Sequence, residues 1–173
     1  MFLKVTKAAV LGLLVSAATA GAALANGTCP PGIPAGVSCG GPDLADVTAG
    51  SYKLDPGHAA VIARVSHIGY SMSVFRFDTV AGDLTWDPAD PSKDQLKVTV
   101  EPGSIATPVP GFAKELAGPQ FLKAAQFPQA TFTSTAFRRT SPTAGEVDGS
   151  LTLMGKTAPV TFKVALVGAG KGF

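Results

Sequence analysis

Residues 52–77 read YKLDPGHAAVIARVSHIGYSMSVFRF, and this stretch decides the fold. It holds two strand-like runs, 59–66 and 71–77, joined by a short turn at His67, Ile68, Gly69 and Tyr70. Odd positions of the first run are Val61, Ala63 and Val65, while even positions include Arg64 and Ser66. Successive side chains of a strand point to opposite faces, so this alternation predicts half-buried antiparallel strands. A helical period fits less well. His58 and His67, the chain's two histidines, bracket the first run.

The start of the chain reads as a leader rather than as part of the fold. Lys4 and Lys7 are followed by an apolar run over 8–20 and by the small-residue site Ala23-Leu24-Ala25. That order predicts a signal peptide over residues 1–25, cut before Asn26, with an apolar core too short for a comfortable membrane span. An uncleaved anchor is the rival reading, disfavoured because no stop-transfer flank follows. The expected location is the periplasm or the outside of the cell. Without Lys4 and Lys7, the 14 basic residues no longer outnumber the 12 acidic ones. No basic cluster beyond Arg138-Arg139 exists, so nucleic-acid binding has no electrostatic footprint. Residues 26–50 are rich in Gly, Pro and Ala and read as an irregular arm. Cys29 and Cys39 close CPPGIPAGVSC within it, and export to an oxidising compartment predicts a disulfide. A metal site would need more ligands than two thiols.

Further along, the alternating pattern repeats. A short strand over 51–54 leads into the turn sequence Asp55-Pro56-Gly57. Ala81-Gly82-Asp83 marks a bend or bulge, after which Leu84 and Trp86 alternate with polar residues. Residues 87–94 form a polar, Pro-broken loop. Residues 95–101 place Leu96, Val98 and Val100 on one face. Three prolines exclude regular structure over 102–110. Residues 111–127 break the strand pattern and predict one or two short helices, with Pro119 suited to a first helical position. Strand character resumes over 129–138 with Phe132 inward. After a hairpin connection at 141–145, Val147, Leu151 and Leu153 share one face. Gly155-Lys156 turns the chain into a last run over 157–166, carrying Val160, Phe162, Val164 and Leu166. The expected fold is therefore all-β, with about eight antiparallel strands and a short helical insert. About eight strands is the size at which a closed barrel either fills with side chains or holds one small ligand. A sandwich fits the same periodicity.

Three segments, taken in order, resemble the YceI-like family of bacterial exported lipid-binding proteins. The first is Tyr52-Lys53-Leu54-Asp55 with His58 and then His67-Ile68-Gly69-Tyr70-Ser71. The second runs FLKAAQFPQATFTS over 121–134, and the third VDGSLTLMGKTAPVTF over 147–162. The resemblance covers residues 51–173 as one domain. It implies a lipocalin-like antiparallel barrel with an apolar cavity for an isoprenoid or other long-chain lipid, in a carrier or sequestering role. The cavity wall it implies comprises Val61, Ala63, Val65, Phe75, Phe77, Trp86, Phe121, Phe127, Phe132, Leu151, Leu153 and Phe162. Two positions depart from the family pattern. Ala59 stands where Ser usually follows the first His, and Ala63 where an aromatic is usual. The resemblance also implies at least one further strand after the glycine-rich stretch 168–172, whereas this chain ends at Phe173.

Each polar candidate has a plainer reading. His58 and His67 could contact a ligand head group, or simply cap strand ends. Asp55 could act as an acid or base, but an Asp before Pro-Gly is ordinarily a turn residue. Ser71, Ser73 and Ser134 lack a G-x-S-x-G setting or an evident His–Asp pairing. No catalytic residue, metal site or cofactor is expected, and a lipid-modifying enzyme is the least favoured reading. The main alternative to a lipid carrier is an extracytoplasmic stress or interaction module whose core is filled by side chains. No stable membrane span is expected after cleavage, and a homodimer remains open.

Overall fold

The computed structural model describes residues 29–37, 39–41 and 47–170. The leader, its cleavage site and the beginning of the arm lie outside the described residues. The strands are β1 (Gly50–Lys53), β2 (Val61–His67), β3 (Ser71–Phe77), β4 (Val80–Trp86) and β5 (Gln95–Val100), followed by β6 (Ile105–Ala106), β7 (Ala130–Ser141), β8 (Ala144–Leu153) and β9 (Lys156–Ala165). One helix, α1 (Phe112–Ala117), precedes β7. All strand pairings are antiparallel.

The strands form two sheets and not the closed barrel that the sequence suggested. One sheet has six strands in the order β1-β4-β5-β7-β8-β9, and the other has three in the order β2-β3-β6. Closure requires every strand to have a hydrogen-bonded neighbour on both sides. Among the described residues, β1 and β9 are free edges of the large sheet, and β2 and β6 of the small one. The split begins just after β1. The Asp55 side chain caps a 3-10 turn at Pro56–His58, accepting the Gly57 N–H at 2.8 Å. That turn sends β2 and β3 away as a hairpin, and β1 pairs with β4 instead, Tyr52 opposite Leu84.

Local expectations met mixed outcomes. The hairpin register sets Val61 opposite Phe77 and Ala63 opposite Phe75, so these four share one face. Its turn puts Ile68 at φ 56° and Gly69 at φ 78°. A left-handed backbone is strained for a β-branched residue such as Ile68. The bend expected at Ala81-Gly82-Asp83 is absent, because β4 runs straight through it. A Cβ added at Gly82 would meet the Leu54 Cβ at 3.5 Å, an ordinary contact, so the strand does not require glycine there. The proline segment is not wholly irregular. Ile105 and Ala106, between Pro102 and Pro108, pair with Phe77 and Arg76 of β3. Pro119 starts no helix, and residues after Gly118 form turns.

Most of the buried core lies on the large sheet, with Ile105 of β6 and Leu116 of α1 added to it. Strand parity places Leu84, Trp86, Leu96, Val98, Phe132, Phe137, Val147, Leu151 and Phe162 on one face, here called the inner face. Val147 is 1% exposed and Phe132 5%. Phe132 meets Phe162 edge-on, with ring centroids 5.0 Å apart. Gly149 makes that packing possible, since a Cβ there would fall 2.4 Å from the Phe132 ring and from the Thr133 carbonyl oxygen.

Candidate functional site: an apolar cavity at one end of the large sheet

The inner face is not filled along its whole length. Where β4 leaves the sheet at Trp86 and the β7–β8 hairpin turns, it lines an open-mouthed cavity of about 270 Å³. Leu84, Trp86, Leu96, Phe137, Val147 and Val164 supply apolar walls, and the 87–94 loop closes one side through Pro91 and Asp94. Inverse alternation explains why these residues converge. Leu84 sits opposite Leu96, Phe137 opposite Val147, and Gly145 opposite Val164. A second, larger hollow of about 460 Å³ lies around α1, but Lys114, Glu115 and Gln120 are among its walls. It offers an apolar ligand little to displace water against.

The charged groups at the cavity's rim are arranged unequally. Arg138 and Arg139 are sequence neighbours, so the strand sends them to opposite faces. Arg138 starts from the outer face, where it pairs with Asp148 and with Glu146, the latter at 3.0 Å, and both Arg138 and Glu146 also reach the cavity's rim. Those hydrogen bonds, with Asp148 first, raise the Arg138 guanidinium further above its ordinary value. In turn, the hydrogen bond from Arg138 and then that from Thr161 lower the Asp148 carboxyl to about 2. Arg139 is on the cavity side, opposite Gly145, and its Nη2 donates to the Pro88 carbonyl at 3.0 Å. Asp94 accepts the Asp87 N–H at 2.7 Å. Burial raises the Asp94 carboxyl, against the lowering effect of that N–H.

A family model described as the YceI-like domain matches residues 52–173. The chain belongs to the YceI-like family. Protein YceI of Salmonella arizonae is 40% identical over 124 residues, covering 70% of this chain and 64% of that protein. The same figures hold for Protein YceI of Salmonella paratyphi B. The chain therefore spans 64% of the length of the curated relatives it matches. Among solved structures, Burkholderia cenocepacia BcnA superposes with a TM-score of 0.61 at 25% identity, over 67% of this chain and 72% of that one. A Campylobacter jejuni YceI protein superposes with a TM-score of 0.55 at 26% identity, over 70% of this chain and 71% of that one.

In this YceI-like chain the residues read from sequence as cavity wall divide between the two sheets. Val61, Ala63, Val65, Phe75 and Phe77 lie on the small sheet, where Phe75 approaches Phe112 of α1 at 6.2 Å between centroids. Trp86, Phe132, Leu151, Leu153 and Phe162 lie on the large one. Phe121 is exposed on the loop after α1, and Phe127 rests against the Gly155 turn. Of that set, Trp86 lines the cavity. Its companions Leu84, Leu96, Val147 and Val164 were visible as alternating apolar positions, whereas Phe137 was not, since strict alternation from Phe132 sends it outward and only the bulge between Ser134 and Ala136 turns it in.

The other polar candidates stand apart from the cavity. His58 Nδ1 lies 2.7 Å from Asp55 Oδ2, on an exposed turn. That contact is the first cause of a lowered Asp55 carboxyl, followed by the Gly57 N–H. His67 ends β2 opposite Ser71 and is exposed. Cys29 and Cys39 are joined as a disulfide. Among the described residues no group of three His, Cys, Asp or Glu is placed to hold a metal, and no helix is long and apolar enough to cross a membrane.

Proposed function

We propose that this chain is an exported, non-catalytic binding protein that holds a long-chain apolar ligand, an isoprenoid or similar lipid, against the inner face of the large sheet. The observation that carries the reading is the apolar cavity beside Trp86, about 270 Å³ in volume. Membership of the YceI-like family supports it. Each buried ligand carbon contributes about 0.8 kcal/mol, so some 15 isoprenoid carbons give on the order of 10 kcal/mol gross. Association takes back at least ~4 kcal/mol, which leaves micromolar binding or better for a fully covered chain. The volume sits just below the ~300–1,000 Å³ of ordinary ligand pockets. The cavity therefore takes one end of such a molecule, and the rest lies along the apolar rows toward Phe132 and Leu151. The leader sequence argues for a periplasmic or secreted carrier or sequestering protein.

Trp86 is the chain's single tryptophan, so its emission reports on this cavity directly. Farnesol added to the purified protein should change Trp86 emission saturably, and solvent extraction of freshly isolated protein should release a long-chain lipid. Unchanged emission throughout the titration, with no lipid extracted, would remove the reading.

A further inference from the structure

The turn of the β2–β3 hairpin breaks the local rule for its geometry. Ile68 and Gly69 both hold positive φ, and the Tyr70 N–H closes the turn on the His67 carbonyl at 3.0 Å. Hairpin turns of this kind favour Asn-Gly or Asp-Gly, because a β-branched residue is strained there. Ile68 carries that strain with its side chain mostly exposed, so packing among the described residues does not offset it. Such an outlier points toward function rather than stability. Apolar exposure also rises toward this end, from about half at Val74 and Met72 to 90% at Tyr70. From Pro56 to Phe77 the sequence holds no carboxylate. The two that flank it are engaged, Asp55 by His58 and the Gly57 N–H, and Asp78 by Arg76. Arg64 lies opposite Val74, on the same face as Ile62 and Met72, and forms no ion pair among the described residues.

We infer that the β2–β3 hairpin is a membrane-docking element, which inserts Ile68 and Tyr70 end-on into a phospholipid surface with anionic head groups. A plane met end-on covers the tip most, which matches the gradient of exposure, whereas a second copy of this chain would cover the flat flank. Tyrosine suits that depth, with an apolar ring and a polar tip. Arg64 lies back from the tip, where an unpaired cation meets the negative surface of an anionic leaflet. A hairpin without carboxylates brings no charge that such a surface repels. The turn is already closed, by the Tyr70 N–H and by the Gly69 N–H on Ser66 Oγ, so little is left to order on docking. Docking concerns where the chain works, and it stands whether or not the cavity holds a lipid.

The test is cosedimentation of the protein, as processed by the expressing cell, with vesicles of phosphatidylcholine alone or with phosphatidylglycerol added. Wild type should bind the anionic vesicles, and failure to bind them would overturn the assignment. Ile68→Asn and Tyr70→Ser should each lower the partition coefficient about tenfold, the loss of one apolar side chain from the interface. Arg64→Gln should lower it about fivefold on anionic vesicles and leave neutral ones unchanged, the effect of one basic residue near the surface. Lys156→Gln removes the same charge from the β8–β9 turn and should change nothing. Equal losses in Arg64→Gln and Lys156→Gln would mean general surface charge and would sink the assignment. Any contribution of residues 1–25 is common to all variants. Tyr70→Trp in a Trp86→Phe background gives a local readout. Its single tryptophan should shift to the blue on anionic vesicles and be quenched by brominated lipid. No shift and no quenching would refute insertion at the tip, even if the chain binds through another part. Sedimentation velocity without vesicles gives the remaining outcome. If Ile68→Asn turns a dimer into a monomer and leaves vesicle binding unchanged, the hairpin joins two copies of the chain and the assignment fails.

Discussion

The two sheets are written in the same alternating code, yet one buries its apolar face more completely than the other. On the large sheet Phe132 and Val147 are almost fully covered. On the small sheet Val61, Ala63, Phe75 and Phe77 share the apolar face and are only half-buried, while Ile62 and Met72 on the opposite face are more than half exposed and Tyr70 at the hairpin end is 90% exposed. The difference lies in neighbours, not in composition. Strands β7 and β8 are 12 and 10 residues long and have partners on both sides. The β2–β3 hairpin has only the two residues of β6 beyond it. Hydrophobic stabilisation follows area removed from water, and a two-stranded ribbon with one short neighbour removes little. An alternating pattern is thus permission to be buried, and a second layer must supply the burial.

Truncating both sheets would test that contrast most severely. Phe132→Ala should lower stability by about 3–5 kcal/mol, as expected for loss of a buried aromatic. Val74→Ala, on the exposed face of β3, should stay within about 0.5 kcal/mol. Urea unfolding of the two variants measures both. A comparable loss at Val74 would mean that this face of the small sheet, opposite the one carrying Phe75 and Phe77, is covered in solution.

A smaller effect of opposite sign is expected at the hairpin turn. Ile68 is 79% exposed and holds a left-handed backbone. Such a conformation costs an ordinary residue roughly 1–2 kcal/mol, and asparagine tolerates it better. Ile68→Asn should therefore raise the thermal midpoint slightly. A lower midpoint would show that the exposed isoleucine packs against something that the two isolated sheets do not provide.

The smallest effect belongs to the outer face of the large sheet. Folding lowers the Asp148 carboxyl from its ordinary 3.8 to about 2, chiefly through Arg138. The folded state then binds its proton less readily than the unfolded one, so this contribution is complete above about pH 5 and fades as pH falls toward 2. Asp148→Asn should melt slightly below wild type at pH 6 and together with it near pH 2. Melting curves across that range check the sign, and a gap that widens in acid would contradict it. Since the pair is exposed, added salt should narrow the gap at pH 6.

The sequence by itself determined most of the strands, β6 among the prolines excepted. Local alternation, turn residues and prolines located β3 at Ser71–Phe77, the β7–β8 hairpin near Pro142 and the helical insert near Phe112, because each signal acts within a few residues. Cys29 and Cys39 were similarly legible, lying close together along the chain. The family was legible too, from motifs whose order survives without coordinates. What the tertiary structure alone decided is which strands are neighbours. Closure depended on whether β2 and β9 meet a partner, and β-periodicity reports faces rather than edges. The cavity depended on the same choice, since Trp86 gained Phe137 and Val147 as companions in place of Phe75 and Phe77. Arg139 is the sharpest case. Beside Arg138 it reads as half of a surface charge pair, and only the register of β7 against β8 turns it toward the apolar face.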